Sequence, residues 1–198
     1  SMGEYSKALE YYEKSLEIRK TTLPANHPDV AISHNNIGLV YNSMAEYSKA
    51  LECHKKSIEI MNKIFPEIHP LLSTFYDNMG LVYKSIGEYS KALEYHERSL
   101  EIIKKTLAAT HPNLAISYNN IGLVYNSMGE YSKALKYYEM SIEMMKNTVH
   151  ENHPDLATSY NNMGLVYKSI GEYSKALEYY KKSLEIRKKT LPANHPDL

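Results

Sequence analysis

Nine histidines and one cysteine are the side chains of this sequence best suited to bind a metal ion or to act in catalysis. Five of the histidines stand directly before a proline and recur every 42 residues. A structural zinc site needs four ligands that converge on one point. Because these histidines are separated by whole repeats, we expect them to lie far apart and to mark the starts of helices. They are His27, His69, His111, His153 and His195.

The closest pairs of candidate groups lack the partners that such chemistry needs. His150 and His153 share one loop, but no cysteine or cluster of acids completes a zinc site there. Cys53 precedes His54, yet adjacent residues of a helix point apart, and no third group orients the pair. We therefore predict that the chain is not an enzyme and has no cofactor or metal site. Three histidines replace the tyrosine of other copies and are interpreted as packing residues: His34, His54 and His96.

A repeated motif organises the chain. It reads Tyr-Asn-Asn-Ile-Gly-Leu-Val-Tyr at residues 118–125, and close copies occupy residues 34–41, 76–83 and 160–167. A fixed period of this size indicates a repeat architecture. Repeats that contact only their neighbours build a long, regular surface and not a single buried active site. The glycines of the four copies are Gly38, Gly80, Gly122 and Gly164.

Each repeat contains two helical patterns, a shorter helix A and a longer helix B. Helix A begins at the proline after the histidine, where its missing N–H costs nothing. It ends before a glycine in three copies, Gly87, Gly129 and Gly171. Helix B has apolar residues at three- and four-residue steps. The predicted order is B 4–22, A 28–44, B 46–65, A 70–86, B 88–107, A 112–128, B 130–149, A 154–170 and B 172–191.

The connections between these helices are short, so neighbouring helices must be antiparallel. A glycine inside helix A lowers helix stability and needs a packing reason. We expect helix B to approach it closely, with the alanines facing it: Ala50, Ala92, Ala134 and Ala176. The predicted apolar stripe of one helix A is Ala115, Tyr118, Ile121, Gly122, Tyr125 and Met128. Its predicted remaining surface is Ile116, Asn119, Asn120, Leu123, Asn126 and Ser127.

Composition excludes several classes of partner. Basic and acidic residues number 23 each, which argues against nucleic acid or an anionic membrane as the main partner. No apolar run approaches the roughly 18 residues that span a bilayer. A single cysteine rules out a disulfide framework and fits a reducing compartment. We therefore predict a cytoplasmic protein that binds neither nucleic acid nor membrane.

The motif resembles the tetratricopeptide repeat (TPR). Tyr118-x-x-Ile121-Gly122-x-x-Tyr125 is followed by Gly129 and by Tyr131, Ala134 and Tyr138 at the spacing of that family. The longer period resembles the 42-residue subclass of kinesin light chains. The resemblance implies an all-α, right-handed solenoid of nine helices in antiparallel pairs. It also implies a scaffold that binds a protein or peptide in a concave groove lined by the A helices.

The resemblance further implies a ladder of asparagines that holds the main chain of a bound peptide. The ladder positions are Asn36, Asn78, Asn120 and Asn162. Weaker candidates flank them: Asn35, Asn119, Asn161, Asn42, Asn126, Lys84 and Lys168. The two lysines would favour an extended peptide that contains acidic residues. The alternative is that these asparagines join neighbouring A helices.

The whole of residues 1–198 is predicted to form one array, cut from a longer one. A partial unit, 1–27, precedes units 28–69, 70–111, 112–153 and 154–195, and residues 196–198 begin another. Uncovered apolar faces at both ends predict head-to-tail self-association. The alternative function is a structural spacer or self-assembling array with no peptide in the groove, which the similarity between repeats favours.

Overall fold

The computed structural model describes residues 2–108, 111–148 and 152–190, and in these ranges every regular element is an α-helix. Nine helices are present there, each within two residues of the predicted bounds. The B helices are α1 (Met2–Thr22), α3 (Tyr47–Ile64), α5 (Tyr89–Thr106), α7 (Tyr131–Thr148) and α9 (Tyr173–Thr190). The A helices are α2 (Pro28–Ser43), α4 (Pro70–Ser85), α6 (Pro112–Ser127) and α8 (Pro154–Ser169).

The chain forms two compact units, Ser1–Thr106 and Leu107–Leu198. In the first unit α2 packs on α3, α4 packs on α5, and α2 also contacts α4. In the second unit α6 packs on α7, α8 packs on α9, and α6 contacts α8. Within each unit, therefore, the two A helices are direct neighbours. A single continuous array over the whole chain stays a prediction.

Every A helix begins with the same cap. The proline occupies the first turn, and Nδ1 of the preceding histidine accepts a hydrogen bond from a backbone N–H two residues on. The N···N distance is 3.1 Å from Asp29 to His27 and 3.2 Å from Asp155 to His153. The predicted role of these histidines as helix starts is confirmed for four of them. His150 and His195 lie outside the described residues.

A residue with positive φ ends each A helix and lets the chain turn into helix B. The φ angles are 82°, 76° and 83° at Gly87, Gly129 and Gly171, and 59° at Ala45. The backbone N–H of the next residue then bonds a carbonyl in the last turn, as from Glu88 to Tyr83 at 2.9 Å. Ala45 thus adopts a conformation that glycine adopts at less cost.

The core of each unit lies between its A and B helices. In the first unit it includes Met61, Leu72, Phe75, Tyr76 and Ile102. In the second it includes Tyr138, Ile142, Leu156, Met163 and Val166. Within the described residues, no helix is long and apolar enough to cross a bilayer.

Two predictions about the surface of helix A were wrong. Met128, assigned to the apolar stripe, is 39% exposed because it follows the last helical residue and caps the helix. Asn119, assigned to the exposed surface, is only 9% exposed because the neighbouring A helix covers it. The stripe instead includes Leu114 and Val124, both buried.

Candidate functional site

In four of the five B helices, one side chain lies on the glycine of the paired A helix; we call this site the ring position. A Cβ added to Gly38 would lie 2.8 Å from the His54 ring, and one added to Gly122 would lie 2.7 Å from Tyr138. The predicted close approach is therefore correct, but the nearest atoms belong to a ring and not to the alanines. The four rings are His54, His96, Tyr138 and Tyr180.

The chemistry of Cys53 and His54 is that of packed groups. Burial lowers the pKa of His54 to about 4, so its imidazole is neutral near pH 7. Its Nδ1 lies 3.1 Å from Oδ1 of Asn35, to which it donates. Burial raises the pKa of the Cys53 thiol, which favours the unreactive protonated form. Among the residues that the structure describes, no group of three potential ligands could hold a metal ion.

A cluster of Asp77, His96 and Ser99 escaped the sequence analysis. His96 Nδ1 lies 2.8 Å from one carboxylate oxygen of Asp77, and Ser99 Oγ donates to the other at 2.8 Å. In a catalytic triad the serine would instead bond the far nitrogen of the histidine. That nitrogen is buried against Gly80, so no substrate can reach it. The cluster holds α4 and α5 together. Its only signal in the sequence is an aspartate where the other repeats have asparagine.

Asparagines connect the two A helices of each unit. Asn78 Nδ2 donates to Oδ1 of Asn35 at 2.9 Å, and Asn162 Nδ2 donates to Oδ1 of Asn119 at 3.0 Å. Asn35 accepts from His54 as well, so its oxygen joins three helices. Two of the four proposed ladder amides thus bind another side chain of the protein.

The predicted site residues differ in their access to solvent. Asn35, Asn119 and Asn162 are buried, at 7%, 9% and 7% exposure. This burial leaves all three little contact with solvent or a ligand. Lys168 is exposed, and burial lowers the pKa of Lys84. The half-buried candidates are Asn36, Asn78, Asn120, Asn161, Asn42, Asn126 and Lys84.

The A-helix face is defined here as the side of each A helix that carries the ladder asparagine and the residues three or four positions from it. It also exposes apolar side chains. In α2 these are Ile32, 40% exposed, and Leu39, 36% exposed, on either side of Asn36. A cavity of about 140 Å³ lies beside Asn36 and Leu39, between α1 and α2. The corresponding exposed residues of the second unit are Ile116 and Leu165.

The opposite side of the A helices carries stacked tyrosines. Tyr83 stacks on Tyr95 with ring centroids 5.3 Å apart, and Tyr167 stacks on Tyr179 at the same distance. A lysine covers the A-helix ring: Lys91 lies 5.4 Å from the Tyr83 centroid. The Tyr125–Tyr137 pair repeats this arrangement at 5.5 Å. These three stacks involve six of the 19 tyrosines in the sequence.

Comparison with known families agrees with this geometry. A family model described as tetratricopeptide repeat matches residues 1–63 and 71–147, and a second of the same description matches residues 156–197. The first covers more than half of the chain. The chain therefore belongs to the tetratricopeptide repeat family. No curated protein sequence matches it.

Solved structures share the fold. BtubC (BKLC) from P. vanneervenii is 23% identical, with a TM-score of 0.78 over 98% of this chain and 77% of that protein. A Podosopora anserina protein assigned as a kinesin light chain, with nearly identical TPR-like repeats, is 23% identical, with a TM-score of 0.72 over 96% and 90%. A Rap protein complexed with competence and sporulation factor is 16% identical, with a TM-score of 0.81 over 95% and 50%.

These identities are below 25%, so the likeness shows the fold alone. It confirms the predicted all-α solenoid and the kinesin-light-chain-like kind of array. Proteins of this fold commonly mediate interactions between proteins and generally act as scaffolds without enzyme activity.

Proposed function

We propose that this chain is a scaffold, and not an enzyme, that binds a protein or an extended peptide in a groove lined by its A helices. The observation that carries the proposal is the composition of the A-helix face, where asparagine amides alternate with exposed leucine and isoleucine. Exposed apolar side chains rimmed by polar groups are typical of interaction surfaces. The ligand-bound Rap protein provides a fold-level analogy.

The amides suit recognition of a peptide main chain. An asparagine amide can accept from an N–H and donate to a C=O, which binds any sequence. Adjacent helices pack about 8–10 Å apart, and an extended peptide advances about 3.3 Å per residue. One amide would then meet about every third peptide residue. The bond from Asn78 to Asn35 fixes a half-buried ladder amide before a ligand arrives, whereas Asn162 is buried where it bonds Asn119.

Selectivity would come from the leucines beside the amides and from two lysines. Lys84 and Lys168 lie in the last turns of α4 and α8. Burial lowers the pKa of Lys84, and an acidic group on the ligand would favour its charged form. A ligand with acidic residues is therefore the one proposed. A cytoplasmic location is part of the same proposal.

The test is a peptide library panned against the whole chain, followed by variants of the asparagines. Asn36 and Asn120 take no part in the Asn78–Asn35 and Asn162–Asn119 bonds, so their removal leaves those bonds intact. Asn36→Ala and Asn120→Ala should each lower the affinity for a selected peptide about twofold to tenfold, which corresponds to the free energy of one hydrogen bond. Thermal unfolding should be unchanged.

The matched control is Asn62→Ala, which removes an exposed asparagine from the B helix α3. It should leave peptide affinity at the wild-type value. Unchanged binding in the Asn36→Ala/Asn120→Ala double variant, or equal weakening by Asn62→Ala, would refute the proposal.

The alternative is a spacer or self-assembling array, and the Asn–Asn bonds favour it because they use ladder amides for packing. Sedimentation of the whole chain at rising concentration tests it. Self-association together with no peptide recovered from the library would replace the scaffold proposal with this one.

A further inference from the structure

The first complete repeat departs from the tyrosine stacks of the other three. Where the others place Tyr95, Tyr137 and Tyr179 in helix B, this repeat has Cys53. Where the others place Tyr76, Tyr118 and Tyr160 in helix A, it has His34. The third member of the group, Tyr41, is kept. In the other repeats a helix B tyrosine stacks on the residue equivalent to Tyr41. The first complete repeat lacks that tyrosine ring.

A cavity replaces the missing ring. It lies between α1, α2 and α3 and has a volume of about 560 Å³. The matching cavity between α7, α8 and α9 has a volume of about 320 Å³. The larger cavity is lined by Tyr41, whereas Tyr167 at the same position does not line the smaller one, because Tyr179 stacks on it. The loss of one tyrosine ring therefore uncovers an aromatic face.

We propose that this cavity binds an aromatic side chain of a partner protein, in the place that Tyr95 and Tyr179 occupy in their own repeats. The chain itself supplies the template, because three repeats fill this place with a phenol ring. An entering ring would stack on Tyr41, whose ring centroid lies 5.4 Å from Lys49 Nζ and whose hydroxyl lies 3.5 Å from Glu13 Oε1. Leu16 and Ile37 provide an apolar floor.

The charges around the cavity favour an uncharged occupant. Three glutamates and three lysines line it, and Lys56 bonds Glu52 at 2.6 Å while Lys20 bonds Glu17 at 3.1 Å. Because these positive and negative charges balance, the cavity favours neither an anionic nor a cationic occupant. The selectivity comes from stacking on the Tyr41 ring, which an aliphatic group cannot reproduce.

This site is separate from the A-helix face. Residues 34, 37 and 41 fall on one side of α2 at helical spacing, and residues 32, 36, 39 and 43 fall on the opposite side. The proposal therefore goes beyond the groove function, and each can fail without the other.

The probe for the site is p-cresol, the tyrosine side chain as a free molecule, and the reporter is Cys53, the only cysteine and half-buried. Saturating p-cresol should slow the reaction of Cys53 with a thiol reagent, and the saturated analogue 4-methylcyclohexanol should slow it less. Tyr41→Leu should weaken p-cresol binding about threefold to tenfold, by loss of the stack. An unchanged labelling rate would overturn the proposal.

Two matched variants exchange the residues that fill this place in the two units, Cys53 in the first and Tyr179 in the second. Cys53→Tyr restores the ring found in the other repeats and should abolish p-cresol binding seen by ligand-observed NMR. Adding Tyr179→Cys to that variant moves the only cysteine to the second unit, where p-cresol should again protect it. Persistent binding of p-cresol by Cys53→Tyr would contradict the site. Circular dichroism confirms that each variant is folded.

Panning one peptide library against the wild type and Cys53→Tyr identifies the partner chemistry. Peptides recovered only by the wild type should share an aromatic residue at one fixed position, whereas ligands of the A-helix face should bind both proteins. Absence of such enrichment would overturn the partner proposal. So would self-association of the wild type that Cys53→Tyr abolishes, because the occupant would then be a second copy of this chain.

Discussion

The two units fill the same ring position with different chemistry. The first uses the imidazoles of His54 and His96, and the second uses the phenols of Tyr138 and Tyr180. Nδ1 of each imidazole reaches an oxygen on the paired A helix, while Nε2 is buried against the glycine without a partner among the described residues. The Tyr138 hydroxyl is buried with no hydrogen-bond partner among the described residues, and burial raises the pKa of Tyr138. The position thus requires a flat ring that fits against a glycine, and tolerates either polar group.

The difference also changes how each unit is stabilised. The imidazoles add hydrogen bonds across the helix pair, and the phenols add apolar area. Because burial lowers the pKa of His54 below its ordinary value, the first unit gains a sensitivity to acid that the Tyr138 ring does not bring to the second.

The largest expected effect comes from removing the acceptor of one imidazole. Asp77→Ala leaves the buried donors of His96 and Ser99 without partners, and should lower the free energy of unfolding by about 2–4 kcal/mol. Asp77→Asn is the matched control, because Asn35 performs this role for His54. Asp77→Asn should lower the free energy of unfolding by less than half as much as Asp77→Ala does. Equal losses in denaturant titrations would show that the carboxylate charge, and not the acceptor, is what matters.

Acid should distinguish the two kinds of ring. The pKa of His54 is about 4 when folded and about 6.5 when unfolded. The unfolded chain therefore binds more protons between these values, and stability falls as pH drops from 6.5 towards 4, by roughly 2–3 kcal/mol from this residue. His54→Tyr places the tyrosine ring of the second unit at this position and should remove the part of the acid-induced loss of stability that comes from His54. An identical pH profile for the variant and the wild type would contradict this account.

The smallest effect concerns the turn after the first complete A helix. Ala45 has φ of 59°, where the other repeats place glycine. Ala45→Gly should relieve the strain and raise the free energy of unfolding by about 0.5–1 kcal/mol, the strain outweighing the added freedom of the unfolded chain. A lower denaturant midpoint would mean that this turn carries no strain. Gly129→Ala is the reverse substitution and should destabilise by a similar amount.

Most of the fold followed from the sequence because its signals are local. The proline that begins each A helix and the glycine that follows three of the four act within a few residues, and the period repeats these signals. The ring on each glycine was missed because it comes from 16 residues further along, on another helix. The predicted alanines are buried, but their atoms are not the ones nearest to the glycines.

The candidate site was less predictable because its contacts are not local. Asn35 meets Asn78 across 43 residues, and nothing in its own helix distinguishes it from an exposed asparagine. The Asp77 cluster joins residues 19 and 22 positions apart. The binding role of the ladder came from family resemblance and stays a prediction, as do self-association and the acidic character of the ligand.

The most direct test of the scaffold function is an NMR titration that follows the side-chain amide signals of the asparagines while a selected peptide is added. The account predicts that the signals of Asn36 and Asn78, which lie in one unit, shift with one dissociation constant and that the signal of Asn120 also shifts, while that of Asn62 on α3 stays in place. Shifts confined to the B helices, or none in these three amides at saturation, would contradict binding on the A-helix face.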